Sequence, residues 1–376
     1  MRLVPVWALR PGMEVARKVS CNNGAPLLNA GVKLEMEYIQ KLKKLNVRAV
    51  YIHDNLIPDV VVEDVILDET REKAINMVRS TLTALKEHQR PRLSKLVTAK
   101  QELTNVLDDI INQLLSNKNL TVNLSDIRYT DDYTFSHSVN VAVLAIMTGI
   151  SLGMNKTELK NMGIGAFLHD LGKVVVPLTI LNKPNRLLEE ERMEIEKHPV
   201  YGLELVKGRQ FFNGPSLAII HKHHERVNGT GYPQGLQGDE IELYPKICAV
   251  ADVYDALVSD RPYRKGFKPH KAMEIMEEEC EGYDMQVMQT FYHHIAAYPV
   301  GTIIGLNNGY LGVVVHNTYG YPTRPRVRII AEKDNFSPVE NYEIDLLDRL
   351  NITVEYVYED HELPEQLLAS SSTWCT

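Results

Sequence analysis

The chain has 376 residues, 44% hydrophobic and 24% charged, with a formal net charge of −8; that length predicts two or three domains of ordinary globular composition. The negative balance argues against nonspecific binding of a nucleic-acid polymer, while a local basic cluster could still hold a small anion. No apolar run reaches the length of a membrane span, Met1–Trp7 lacks the core of a signal peptide, and Cys21, Cys248, Cys280 and Cys375 show no CxxC spacing, so a reduced, cytoplasmic protein without disulfides or a zinc knuckle is expected.

In chain order, residues 1–64 read as a small α+β regulatory module. Pro11-Gly12, Asn22-Asn23-Gly24 and Asn29-Ala30-Gly31 are turn signals, Lys33 to Leu45 a helix, and Val47 to Ile52 a strand. His53 reads as a surface loop residue. Residues 65–119 then turn helical. Ala74, Met77, Val78, Thr81, Leu82 and Leu85 form one stripe, and Leu103, Val106, Leu107, Ile110, Ile111 and Leu114 a second after Pro91. These stripes either pack on the chain's own core or pair with a second copy, which would make this connector a homodimer and signalling element.

The next helix is expected to open at Asp131-Asp132, an N-cap before Tyr133, and to carry His137 among Phe135, Val139, Val141, Leu144 and Ala145. At the centre of the chain stands Phe167-Leu168-His169-Asp170-Leu171-Gly172-Lys173. A neighbouring imidazole and carboxylate can reach metal from one turn of backbone, and a carboxylate can bridge two ions. Gly172 permits close approach, and Lys173 offers a point charge to a phosphate. His198, His223 and His224, and Asp252 follow, several in apolar segments where unpaired polar groups are costly. The donors His137, His169, Asp170, His198, His223, His224 and Asp252 exceed the needs of one tetrahedral zinc and suit two ions joined by a carboxylate. Imidazole with carboxylate suits iron or manganese, with zinc or nickel as alternatives. His221 is ambiguous, either orienting or packing.

The order H…HD…H…HH…D resembles the HD superfamily of metal-dependent phosphohydrolases. His223-His224-Glu225-Arg226-Val227-Asn228-Gly229-Thr230-Gly231-Tyr232-Pro233 is similar to the HHExxDGxGYP signature of its HD-GYP branch, with Asn228 where Asp is common. Ile180-Leu181-Asn182-Lys183-Pro184 and Ser259-Asp260-Arg261-Pro262-Tyr263-Arg264 extend the resemblance over about residues 120–297. It implies an all-helical phosphodiesterase that hydrolyses cyclic di-GMP to linear pGpG by a metal-bridged hydroxide, with Asp170 as bridge. Lys173, Arg261 and Arg264 would hold phosphate, and Tyr232 would contact the ligand or shape the entrance. Lys183 is a further candidate; a structural ion-pair loop is the other reading for the arginines. Members with a third metal carry Glu four residues before the first His; Tyr133 stands there, so two ions and slow or no cleavage to GMP are expected. A mixed cyclic dinucleotide (cyclic GMP-AMP) as substrate, or a catalytically weak receptor, are the competing readings.

Residues 298–360 read as a small β-rich appendage, with strands over 300–306, 312–315, 326–330, 345–347 and 352–354. A disordered tail is expected over 361–376. The fold class expected is mainly α: a helical HD-type catalytic domain over 120–297 between the α+β module and the β-rich appendage.

Overall fold

The computed structural model describes residues 1–20, 26–45, 47, 49–54, 56–87, 93–117, 121–122, 133–181, 183, 185–208, 212–260, 264–359 and 362–364. The turn at Asn22-Asn23-Gly24, Pro91, Asp131-Asp132, Arg261 and the tail from residue 365 lie outside the described residues. The chain forms two compact units, one from residues 1–64 with 295 onward, the other from 65–119 with 133–294.

In the first unit β1 (Arg2–Pro5) pairs antiparallel with β4 (Ala49–Ile52), and β2 (Val19–Ser20) with β3 (Pro26–Leu28). Helix α1 (Met36–Lys44) buries Ile39 and Leu42 on a core with Val4, Val15, Leu34 and Ile52. It starts three residues later than Lys33. Leu34 is held extended by backbone bonds to Gly12 and Met13, so its peptide is already committed when the helix begins. The C-terminal strands β5 (Ile303–Leu306), β6 (Tyr310–His316), β7 (Arg326–Glu332), β8 (Pro338–Asp345) and β9 (Val354–Val357) form an antiparallel sheet ordered β8-β7-β6-β5-β9. Ile304, Val314 and Ile329 face one core, while Ile303, Val313 and Ile330 face another that includes Ile57. A sheet covered on both faces explains the unbroken apolar runs of β5 and β6. The strand expected at 345–347 instead ends at Asp345, because Leu346 turns inward as a buried anchor with its N–H on Pro325 O. The sheet is tied to the N-terminal residues by Arg328, whose Nη1 and Nη2 lie 2.6 and 2.7 Å from the Asp59 carboxylate.

The second unit is helical: α2 (Asp68–Glu87), α3 (Leu93–Ser116), α4 (Tyr133–Ser151), α5 (Lys156–Phe167), α6 (Leu178–Leu181), α7 (Glu189–Ile195), α8 (His198–Val206), α9 (Gly214–Lys222), α10 (Leu243–Val258), α11 (Pro269–Glu278) and α12 (Met285–Tyr292). A short 3-10 turn at Leu171–Val174 follows α5. Helix α4 is buried from Ser136 to Gly149, as a helix apolar on every side must be. It packs against α2, α3, α5, α10 and α12. Asn155 caps α5, accepting from Thr157 N and Glu158 N, while the Glu158 carboxylate returns a bond to Asn155 N. Ala74, Met77, Val78 and Leu82 of α2 and the whole α3 stripe from Leu103 to Leu114 are buried within this chain. Among the described residues no helix is long and apolar enough to cross a membrane.

Candidate metal centre

The seven sequence-selected donors converge from five places in the helical unit. His137 comes from α4, His169 and Asp170 from the turn after α5, His198 from the first residue of α8, His223 and His224 from the end of α9, and Asp252 from α10. Helix α5 stops where Leu168 N–H bonds Gly165 O, turning His169 and Asp170 inward. Gly172 then lets this turn lie against the start of α8: a Cβ there would come within 2.6 Å of Gly202 N and closer still to His198 O. Glycine is the residue type that allows that approach.

Three rings are aimed by their own backbone. Nδ1 of His169, His198 and His223 lies 2.7, 2.8 and 3.0 Å from the carbonyls of Ala166, Ile195 and Ile219. A carbonyl only accepts, so each Nδ1 donates and it is Nε2 that is turned to the centre, where it offers a lone pair whenever the ring is neutral. There His198 Nε2 and His223 Nε2 face each other at 3.2 Å. Asp170 Oδ1 lies 3.3 Å from His198 Nε2, and Asp170 Oδ2 lies 3.5 Å from His169 Nε2. His169 Nε2 and Asp170 Oδ1 are buried without a hydrogen-bond partner. Converging lone pairs with orphaned buried atoms are what a cation would satisfy. Ligand atoms of Asp170, His198, His223 and His224 lie within 4.8 Å of one another, as do those of His137, His169 and Asp170, and those of His169, His223 and Asp252. The residues fit a divalent metal ion.

The electrostatics agree. Burial holds the His223 and His224 imidazoles well below their usual pKa, in the neutral form that coordinates. Burial works to raise Asp170, but Lys173 and the neighbouring imidazoles outweigh it and the carboxyl sits well below the usual range. His137 is the exception: burial opposes its charge, yet Asp252 and Asp255 more than reverse that and push the ring up to about 10, so an ion taking its nitrogen would have to displace a proton.

Lys173 Nζ stands 2.6 Å from Asp170 Oδ2 at the edge of the cluster. Tyr232 stacks on His224 with ring centroids 4.7 Å apart, so it joins the site. Its loop is shaped by Gly231, where a Cβ would lie 2.5 Å from His224 O, and by Glu225, which accepts from Gln234 N and Leu236 N. Asn228 accepts from Thr230 N and Thr230 Oγ1; its carboxamide oxygen makes bonds that a carboxylate at that position would also accept. Other expected contacts are engaged elsewhere. Lys183 Nζ pairs with both oxygens of Glu191 at 2.8 and 2.6 Å. Arg264 Nη2 donates to Ala256 O and Leu257 O, capping the end of α10. Arg261 lies outside the described residues. His221 is half-buried and belongs to none of the ligand groups among the described residues.

Sequence reasoning missed Asp255. It is wholly buried one turn after Asp252, with Oδ2 2.7 Å from His137 Nδ1 and Oδ1 2.9 Å from Asn140 Nδ2. The signal was the three-residue spacing from Asp252, which puts both carboxylates on one face of α10.

A buried imidazole–carboxylate cage inside a helical bundle defines a metal-binding domain of the HD type. Residues 80–287 match the HD domain model, and residues 303–366 match the model of the KOW domain associated with HD domain. Over 279 residues the chain is 32% identical to cyclic di-GMP phosphodiesterase PA4108 of Pseudomonas aeruginosa, covering 74% of this chain and 67% of that protein. It is 38% identical over 148 residues to the cyclic di-GMP phosphodiesterase response regulator RpfG of Xanthomonas campestris pv. campestris, 39% of each chain. It is 35% identical over 193 residues to 3'3'-cGAMP-specific phosphodiesterase 1 of Vibrio cholerae, 50% of this chain and 43% of that one. The solved structure of Bd1817, a HDG"Y"P protein from Bdellovibrio bacteriovorus, shares the fold at TM-score 0.50 and 22% identity, covering 77% of this chain and 97% of that one. The chain belongs to the HD domain family, in its HD-GYP branch.

Proposed function

We propose that this chain is a metal-dependent phosphodiesterase that opens cyclic di-GMP to linear pGpG in the cytoplasm, using two ions of iron or manganese. The observation that carries the reading is the cage itself: seven donors, with lone pairs facing at 3.2 Å and orphaned buried atoms on His169 and Asp170. His137, His169, Asp170, His198, His223, His224 and Asp252 would hold the ions, with Asp170 as the carboxylate shared between them. Two bound divalent ions lower the pKa of water toward about 7 and neutralise charge on the phosphodiester. The protein supplies the rest. Lys173, 33% exposed at the rim, is placed to hold a phosphate oxygen once Asp170 is engaged by metal. Tyr232, stacked on His224, walls the approach on the side of the Gly229–Pro233 loop. Lys183, Arg261 and Arg264 remain candidate phosphate contacts; the Glu191 pairing of Lys183 and the helix-capping of Arg264 make both dependent on rearrangement.

Residues 1–64 would serve as a regulatory module, 65–119 as a helical connector, 120–297 as the catalytic domain and 298–360 as an appendage. A homodimer through 65–119 would use the faces of α2 and α3 left outside the buried stripes, which sedimentation velocity on the full chain reads directly. A mixed cyclic dinucleotide is a second reading, favoured by the 35% identity to a 3'3'-cGAMP-specific phosphodiesterase. The complete donor set counts against a catalytically weak receptor. The test is hydrolysis of a cyclic dinucleotide panel by anaerobically purified protein, with metal measured on the same batch. Cyclic di-GMP converted fastest, with about two ions per chain, supports the proposal; tight binding without hydrolysis under any metal refutes it.

A further inference from the structure

His137 does not stand alone behind the cage. Its Nδ1 donates to Asp255 Oδ2 at 2.7 Å, and Asp255 Oδ1 accepts from Asn140 Nδ2 at 2.9 Å. Asn140 Oδ1 in turn accepts from Arg71 Nη1 at 3.3 Å. The four residues are 4%, 0%, 2% and 6% exposed, so the row runs wholly inside the protein. Its polarity is consistent from end to end. A guanidinium only donates and a carboxylate only accepts, so the amide between them has one orientation that satisfies both. His137 and Asn140 are three residues apart on α4 and share a face. Asp255 comes from α10, and Arg71 from the first turn of α2.

A buried arginine is an expensive way to join two helices, and here packing is already provided. Ala74, Met77 and Val78 of α2 are buried one and two turns further on. The start of α2 is separately pinned to α3, with Gln113 accepting from Leu67 N and donating to Thr70 Oγ1. Helix α2 also packs against the 3-10 turn that carries Lys173. What Arg71 adds is a defined end for the amide, which fixes the carboxylate, which fixes one ring of the cage. Outer-shell partners of this kind orient ligands and set their basicity.

We propose that Arg71 is a positioning residue for the metal centre: through Asn140 and Asp255 it holds the ring of His137, so that the seating of α2 on α4 sets the donor geometry at the ion site. The inference rests on the metal-dependent reading above. It makes the connector helix part of the site without touching substrate or metal.

The test measures Mn²⁺ affinity of the full chain by competition with a chelating dye, and the paramagnetic resonance spectrum of the Mn²⁺-loaded protein. The variants are Arg71→Met, Asp255→Asn, the double variant and Arg71→Lys, with metal-free melting recorded for each. Each of the first two is expected to weaken at least one Mn²⁺ by about 10- to 100-fold and to alter the spectrum. The double variant should be no weaker than Asp255→Asn alone, because both act on one ring. Arg71→Lys should recover part of the loss. Wild-type Mn²⁺ affinity in Arg71→Met with only a lower melting temperature, or losses that multiply in the double variant, overturns the proposal. Should Arg71→Met not fold, Arg71→Lys decides: weakened Mn²⁺ with unchanged metal-free melting supports the row, and unchanged Mn²⁺ overturns it. Wild-type protein that binds Mn²⁺ yet leaves every cyclic dinucleotide intact overturns the phosphodiesterase reading instead, while the affinity comparison still decides this one.

Discussion

Replacing Gly172 by alanine tests whether the cage depends on the contact between the His169–Asp170 turn and α8. A Cβ there would lie 2.6 Å from Gly202 N and nearer still to the carbonyl of His198, itself a donor of the cage. Carbon normally keeps about 3.3 Å from a carbonyl oxygen, so the two segments must part by roughly 1.5 Å at His198. Both neighbours are backbone, and neither can swing aside. Overpacking of that kind costs about 1–3 kcal/mol, and each kcal/mol lowers Tm by roughly 2–4 °C in a unit of this size. Sites tolerate about 0.5 Å of misplacement before function suffers, and about 1 Å costs on the order of a hundredfold. Gly172→Ala should therefore melt several degrees lower without metal, hold less metal, and turn over at roughly a hundredth of the wild-type rate or less. Differential scanning calorimetry, elemental analysis and a cyclic di-GMP assay on one preparation read all three. Gly214→Ala is the control, since a Cβ there meets nothing within 4 Å. A Gly172→Ala protein matching that control in melting and metal content would refute the reasoning.

Asp170→Ala should lose turnover and at least one ion, measured by elemental analysis, because the carboxylate that faces both His169 and His198 is gone. Lys173→Ala should keep full metal content while turnover and substrate affinity fall; metal loss would instead assign the lysine to holding Asp170. Asp59→Asn should destabilise the first unit by less than about 1 kcal/mol, because Asp59 is 63% exposed and its pair with Arg328 is screened. Arg328 lowers the Asp59 pKa from 3.8 to about 2, so the stabilisation is present above pH 3.8 and fades as pH falls through 2. Wild type and Asp59→Asn should thus converge in acid melts; a gap that widens toward low pH would reverse that assignment.

The converging histidines and aspartates were legible because they stand out in apolar runs where burial without a partner is costly. The α3 stripe was legible in the same way, but its partner was not: periodicity shows which face is apolar and says nothing of what covers it. Arg71 and Asp255 were illegible for a different reason. Their meaning lies in pairings across 69 residues, between Arg71 and Asn140, and across 118, between His137 and Asp255. Strand β8, Pro338–Asp345, escaped notice because it lies exposed at the sheet edge and carries no apolar run. Lys183 and Arg264 show the limit of motif reading: the pattern marks the residue, while Glu191 and the end of α10 engage its charge here.

Three of the rings take their direction from carbonyls three or four residues earlier in their own turns: Ala166 for His169, Ile195 for His198 and Ile219 for His223. Each is aimed by a contact that is local in sequence. The packed helices hold these nitrogens facing one another, an arrangement whose repulsion a bound ion would relieve. Binding energy is therefore not consumed in freezing side chains, and much of it is free to tighten the bundle. A metal held there would act as a keystone, setting the tension of helices already in place.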